Sequence, residues 1–137
     1  MKIKIDGGFD QIPIRAHKTD AGLDLNATGY QVIFPKDSAV FGTGVHVQLP
    51  AGTCGLIMSK SGLNVKHGLF CTGLIDEGYT GEILIRLFNF GDRPYVVQKG
   101  DKVAQLVVVP CYYEPLELVD KLDESERGNN GFGSTGR

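Results

Sequence analysis

Short apolar stretches separated by glycine or proline follow one another along most of the chain. Stretches with strand-like patterning cover residues 1–5, 32–34, 44–49, 55–58, 68–72, 82–90, 95–97 and 103–109. Glycine or proline stands between them at positions 29, 35, 42, 50, 52, 91, 94, 100 and 110. Short strands with closely spaced turn residues are typical of a sandwich, a jelly roll or a barrel. The pattern therefore predicts an all-β domain.

One short helix is predicted at residues 62–67, because no long stretch repeats with the period of an amphipathic helix. Ser59 or Ser61 could cap this helix. Lys60 and Gly62 complete a polar segment at the place where a strand would pass into the helix. Backbone N–H groups at a helix start attract phosphate. The alternative is a capped helix start with a solvated lysine.

Residues 73–81 read Gly-Leu-Ile-Asp-Glu-Gly-Tyr-Thr-Gly and lie between the predicted strands 68–72 and 82–90. Two strands joined by a glycine-bearing loop predict a hairpin. Its tip would carry the carboxylate of Asp76 and the ring of Tyr79. Gly73, Gly78 and Gly81 would permit positive φ angles and close approach of a ligand. The alternative is an ordinary turn, in which Asp76 faces solvent and Tyr79 packs on the sheet.

Two polar residues interrupt apolar strands. Asp24 lies between two leucines and, in a strand, would face away from both of them. Such a carboxylate needs a backbone donor, a cation or a hydrated metal as its partner, unless it belongs to a turn. Gln105 is an amide among aliphatic residues. It would contact a ligand or another subunit, or else bond to a neighbouring strand.

The last segment, residues 122–137, is charged at first and then rich in glycine. It buries too little apolar surface to become ordered by itself, so we expect a flexible C-terminal arm. The arm nevertheless carries parts that suit a nucleotide: the guanidinium of Arg127, the ring of Phe132 and many unhindered N–H groups. The alternative is a disordered, solubilising tail.

Composition narrows the class of protein. A chain of 137 residues with 42% hydrophobic and 22% charged residues is a single globular domain. Its net charge of -2 gives no general attraction to nucleic acid or to anionic lipid. Cys54, Cys71 and Cys111 are widely spaced, which favours reduced thiols over a disulfide framework. With no signal-like N-terminus and no apolar run that could span a membrane, we expect a cytoplasmic protein.

Five of these stretches, in this order, resemble the five motifs of the trimeric dUTP pyrophosphatases (dUTPases). The first is Ala-Gly-Leu-Asp-Leu at 21–25, the second Lys-Ser-Gly-Leu at 60–63, and the third the segment 73–81. The fourth is Gly-Asp-Lys-Val-Ala-Gln-Leu at 100–106, and the fifth runs from 127 to 136. The second motif usually begins with arginine, so Lys60 keeps the charge but loses the bidentate fork.

The resemblance implies a distorted jelly-roll-like β domain at residues 1–121 and an arm at 122–137 that closes over an active site of a neighbouring subunit. It implies a homotrimer with shared active sites that hydrolyses dUTP to dUMP and pyrophosphate with Mg2+. Such an enzyme keeps uracil out of DNA and supplies dUMP for thymidylate synthesis.

By the same resemblance, Asp76 orients and deprotonates the attacking water, and Tyr79 lies beneath the deoxyribose. Asp24 acts on Mg2+ through water. The other residues that the resemblance assigns to substrate binding are Gly73 and Leu74 (uracil), Lys60, Ser61 and Gly62 (phosphates), Arg127, Gly133, Ser134 and Thr135 (triphosphate), Phe132 (uracil), and Gln105, for which it names no part of the substrate.

Two other functions remain open from the sequence. The dCTP deaminases share the fold of this family, but their chains are longer and carry a catalytic glutamate near the position of the third motif. A regulatory protein that senses dUTP could retain every motif.

Overall fold

A computed structural model of the chain describes residues 1–6 and 12–129. Within them the strands are β1 (Lys2–Ile5), β2 (Leu23–Asn26), β3 (Gln31–Ile33), β4 (Ser38–Gly42), β5 (Val45–Gln48), β6 (Thr53–Ser59), β7 (Leu69–Phe70), β8 (Thr72–Ile75), β9 (Leu84–Asn89), β10 (Tyr95–Val97) and β11 (Lys102–Pro110). A helix, α1, covers Ser61–His67. The prediction of an all-β domain with a short helix is confirmed.

The strands form antiparallel sheets that bring distant parts of the sequence together. In the described residues, one sheet has the order β2-β11-β6-β8 and another the order β4-β9-β7. Strand β1 pairs with β5, and β10 pairs with β3. Because β11 lies between β2 and β6, the three segments that carry Asp24, Lys60 and Gln105 become neighbours.

The core follows from the alternation along the strands. In β9, Ile85 and Leu87 are buried while Leu84 and Arg86 are exposed, as expected for a strand with one face on the core. Other fully buried side chains are Leu25, Ile33, Val45, Leu69, Ile83, Val97, Val103 and Leu106. Cys54 and Cys71 are also buried, and burial raises the pKa of both thiols.

The start of helix α1 differs from the prediction. The N-cap residue is Lys60, which makes no side-chain capping bond, and Ser61 is already helical. Ser59 is not a cap, because its hydroxyl exchanges hydrogen bonds with the backbone N–H and carbonyl of Cys71. Gly68 ends the helix with a φ of 67°, a conformation that glycine adopts without strain. No helix in the described part of the chain is long and apolar enough to cross a membrane.

The predicted hairpin is partly wrong. Leu69 and Phe70 do pair with β9, but the chain changes sheet at Cys71, and β8 then pairs with β6. Gly73 therefore lies in a strand opposite Ile57 and not in a loop. The glycines with positive φ among the described residues are 44, 52, 68, 100 and 128, so the expectation of positive φ at positions 73, 78 and 81 is wrong as well. Close approach of a ligand to these glycines stays a prediction.

Beyond Pro110, residues 111–129 contain neither helix nor strand, and most of their side chains are exposed. A hydrogen bond of 2.8 Å from Cys111 N–H to the Gly52 carbonyl continues the pairing of β11 with β6 for one residue. A boundary between domain and arm near residue 121 stays a prediction.

Candidate functional site

Asp24 is a buried carboxylate held by two lysines. Its residue is 5% exposed, and its flanking leucines are buried as well. Oδ1 contacts Nζ of Lys60, and Oδ2 lies 2.8 Å from Nζ of Lys102. Burial is the largest influence and opposes ionisation, but the hydrogen bonds from the two lysines outweigh it, so the pKa of Asp24 lies below its ordinary value. The sequence predicted that the carboxylate of Asp24 needs a partner, and in the structure its partners are two lysine ammonium groups.

Gln105 lies beside this group. It pairs with Asp24 on one side of β11 and with Met58 on the other. Its Nε2 donates a hydrogen bond of 3.1 Å to the Ser59 carbonyl. The absence of a side chain at Gly22 makes room for the amide, because a Cβ there would lie 2.2 Å from Oε1 of Gln105. The amide therefore bonds to a neighbouring strand, which was the alternative interpretation, while staying next to the lysines.

Ser61 and Gly62 complete this first cluster. Both are exposed in the first turn of α1, directly after Lys60. No atom would lie within 4 Å of a Cβ at Gly62, so its backbone is open to an approaching group. We call Asp24, Lys60, Ser61, Gly62, Lys102 and Gln105 the cationic cluster.

Asp76 lies in a second place, on the turn that follows β8. The turn is closed by a hydrogen bond of 3.0 Å from Tyr79 N–H to the Asp76 carbonyl. Asp76 is exposed, and with Leu74 it lines an open cleft of about 550 Å³. Leu74 is 60% exposed, so an apolar side chain stands next to the carboxylate.

The ring of Tyr79 folds back over its own turn. Its hydroxyl donates a hydrogen bond of 2.9 Å to the Glu82 carbonyl. Gly81 lies under the ring, since a Cβ at that position would be 2.4 Å from the tyrosine oxygen. The glycine is needed for this close approach and not for an unusual φ angle. We call residues 76–81 the acidic turn.

Two contacts that the sequence did not predict anchor the acidic turn on the side of Asp76. The Glu77 carboxylate accepts hydrogen bonds of 2.9 Å from Gly52 N–H and 2.9 Å from the hydroxyl of Tyr113. This bond to Glu77 is the main cause that raises the pKa of Tyr113 to about 12. The partners are 25 and 36 residues away in sequence. No local pattern could have indicated them.

The cationic cluster and the acidic turn lie at opposite ends of β6. Ile75, just before Asp76, pairs with Gly55, whereas Lys60 follows the far end of the same strand. Five residues of extended chain span roughly 16 Å. One triphosphate bound by the cluster would therefore not reach the acidic turn of the same chain easily.

The described residues offer few ligands for a metal ion. Among residues 1–6 and 12–129, no three His, Cys, Asp or Glu side chains come together as a metal site. Both oxygens of Asp24 are engaged by lysines. Mg2+ commonly keeps several waters and binds through one or two carboxylates and substrate phosphates. These residues would therefore leave Mg2+ to be held mostly by water and substrate phosphates, and the role of Asp24 towards the metal stays a prediction.

The structure does not cover all predicted site residues. Arg127 lies in it, beside a turn closed by the bond from Gly128 N–H to the Ser125 carbonyl. Phe132, Gly133, Ser134 and Thr135 lie outside the described residues. Their roles stay predictions.

Comparison with known proteins places the chain among nucleotide hydrolases. A family model described as dUTPase matches residues 10–136. A deoxyuridine 5'-triphosphate nucleotidohydrolase of Clostridium tetani is 43% identical over 140 residues, which cover 100% of this chain and 97% of that protein. The mitochondrial protein of the same name from Homo sapiens is 41% identical over 126 residues, which cover 91% of this chain and 50% of the human one.

Solved structures agree with the sequence relatives. A variant of Staphylococcus bacteriophage 80alpha dUTPase, solved with dUpNHpp, superposes with a TM-score of 0.93 at 33% identity, covering 99% of this chain and 98% of the phage chain. A dUTPase variant from phage phi11 of S. aureus, described as coordinating a structural Mg(II) ion, has a TM-score of 0.81 at 31% identity, covering 88% and 96%. The predicted jelly-roll-like β fold is confirmed.

Proposed function

Because the chain belongs to the dUTPase family, we propose that it hydrolyses dUTP to dUMP and pyrophosphate with Mg2+, through water activated by Asp76. The observation that carries the mechanism is the anchored acidic turn, where an exposed carboxylate stands beside a fixed ring. In a cell this reaction would keep uracil out of DNA and supply dUMP for thymidylate synthesis.

Asp76 provides the base. Hydrolysis needs a water oriented towards phosphorus and neutralisation of charge, with no covalent intermediate. The bonds of Glu77 fix the backbone next to Asp76, so its carboxylate can accept a proton from water at a set place. Pyrophosphate then leaves as the water oxygen bonds to the α-phosphorus.

Tyr79 distinguishes deoxyribose from ribose. Because its hydroxyl is tied to the Glu82 carbonyl, the ring presents a fixed face. A deoxyribose packed on that face leaves no room for a 2′-hydroxyl, which would exclude UTP. Backbone groups at Gly73 and Leu74 would pair with the uracil edge, and a site with matched hydrogen bonds rejects cytosine.

The cationic cluster provides phosphate binding. Ser61 and Gly62 offer a hydroxyl and open backbone, Lys60 offers charge, and Gln105 offers an amide. Mg2+, when bound to the triphosphate, would neutralise its charge, with Asp24 reached through water. Lysine binds phosphate as a point charge, so positioning by Lys60 is less directional than by the usual arginine.

We further propose that each active site is shared between subunits of a homotrimer. Support comes from the separation of roughly 16 Å between the cationic cluster and the acidic turn of one chain. A neighbouring copy can supply the missing half, as cyclic symmetry permits. The arm, with Arg127 on the triphosphate, Phe132 on uracil and Gly133, Ser134 and Thr135 on phosphates, would then close over the site and exclude water.

Pyrophosphate release from dUTP, dTTP, dCTP and UTP with Mg2+ tests the proposal. We expect rapid release from dUTP alone. Asp76→Asn should abolish hydrolysis while dUpNHpp still binds, because the amide keeps the shape but cannot take the proton. Asp92→Asn, an exposed carboxylate in the loop before β10, is the control and should retain activity.

Other outcomes would identify the alternatives. Ammonia release from dCTP would indicate a deaminase. Tight binding of dUTP without pyrophosphate release would indicate a sensor.

A further inference from the structure

His46 connects two elements through its two ring nitrogens. Nδ1 lies 2.9 Å from the carbonyl oxygen of Thr80, within the acidic turn. Nε2 lies 2.9 Å from a carboxylate oxygen of Asp6, just beyond β1. The side chain is 19% exposed, so the ring is largely enclosed between the two partners.

Both partners are acceptors. A carbonyl oxygen has no proton to donate. The hydrogen bond from Lys4 holds the pKa of Asp6 below its ordinary value, so Asp6 is an ionised acceptor near neutral pH. An imidazole N–H that faces an acceptor donates to it, so the ring of His46 can tie the acidic turn to β5 through Nδ1.

The contact between His46 and Thr80 adds to hydrogen bonds that attach residues 82 and 83 to the strand β5 and the residues before it. Ile83 N–H donates to the Val45 carbonyl at 2.8 Å, and the hydroxyl of Thr43 donates to the Ile83 carbonyl at 2.7 Å. Gly44 N–H donates to Glu82 at 2.8 Å. These bonds fix residues 82 and 83 to the start of β5, but Thr80 lies on the other side of Gly81, outside the segment that they hold.

We propose that His46 is a positioning residue, which holds the Thr80 carbonyl and so keeps the ring of Tyr79 in place for the sugar. The proposal rests on the proposed function for its effect on substrate. Without the imidazole, the contact with Thr80 is lost. The side of the turn next to Tyr79 is then less firmly held, and dUTP binds less tightly.

Steady-state kinetics provide the first test. In His46→Gln, whose side chain cannot bridge both partners, we expect the KM for dUTP to rise by roughly 3- to 10-fold, the scale of one lost hydrogen bond. The kcat should change much less, because Asp76 is anchored through Glu77. His17→Gln, at an exposed histidine paired with Asp20, is the matched control and should follow the wild type.

NMR provides the second test and needs no substrate. The backbone amide signals of Tyr79, Thr80 and Gly81 should shift in His46→Gln relative to the wild type and should stay in place in His17→Gln. Unchanged amide signals in His46→Gln would overturn the proposal, as would an equal KM for His46→Gln and the wild type. If the amide signals shift but the wild type does not hydrolyse dUTP, the attachment by His46 stands and the proposed function fails.

Discussion

At the scale of single residues, Asp24 shows how a charged side chain is stabilised in a buried position. The side chains of its partners Lys60 and Lys102 are 27% and 47% exposed, so the lysines retain contact with water while the carboxylate is enclosed. Asp24 thus stabilises the meeting of β2 and β11 and also keeps the lysine ammonium groups close to where phosphates would bind.

This arrangement predicts a pH-dependent effect of Asp24→Asn. The folded-state pKa lies below the ordinary 3.8, so the contribution of Asp24 is fully present above that value and is lost as pH falls through the folded-state pKa. We expect the variant to lose about 2 kcal/mol of unfolding free energy at neutral pH, the scale of hydrogen bonds to a charged group.

Urea unfolding of the wild type and the variant at about pH 7 and about pH 3 measures this difference. The difference should shrink at the lower pH, because below 3.8 the carboxylate of the unfolded chain takes up a proton before that of the folded chain does. Equal destabilisation at both pH values would mean that shape, and not charge, makes Asp24 important. Asp92→Asn is again the exposed control.

The sequence alone identified Asp24 as a residue that needs a partner, but it did not identify the partners. An aspartate between leucines needs a partner, and a cation was one of three options. Which cation it meets depends on the pairing of β2 with β11, a contact between residues far apart in sequence. The same holds for His46 and Glu77, whose partners lie 34 and 25 residues away.

At the scale of elements, the acidic turn depends on a strand that changes sheets. The alternation of apolar residues predicted strands on both sides of the turn, but could not distinguish one strand from the two strands β7 and β8. Cys71, buried between them, is held by the Ser59 hydroxyl. That tertiary contact sets the point at which the chain leaves β9 and joins β6.

The close packing of the Tyr79 ring on Gly81 predicts that Gly81→Ala would cause a steric clash. A Cβ there would lie 2.4 Å from the tyrosine oxygen, so the ring of Tyr79 must move and its bond to Glu82 must weaken. We expect the KM for dUTP to rise by about 10-fold, as for loss of one well-placed contact, while the melting temperature changes little. Discrimination against UTP should fall as well.

Kinetics with dUTP and UTP, together with thermal unfolding, check this expectation. Gly29→Ala is the matched control, because no atom lies within 4 Å of a Cβ at that position. Equal kinetics for the two variants would mean that the position of the Tyr79 ring does not govern binding of the sugar.

At the scale of the whole molecule, the cationic cluster and the acidic turn of one chain lie apart. The motif order in the sequence indicated the family and its residues, but not this separation, which follows from the antiparallel pairing of β6 with β8. If both groups belong to one active site, as we propose, a second copy of the chain must supply one of them.

Mixing two inactive variants tests this central claim most directly. Asp76→Asn impairs the acidic turn and Asp24→Asn impairs the cationic cluster, so each should lack activity alone. If sites are shared, trimers refolded from an equal mixture should regain about a quarter of wild-type pyrophosphate release, because random assembly joins two intact halves at that frequency. No recovery in well-mixed trimers would place both halves of the site in the same chain and contradict the account.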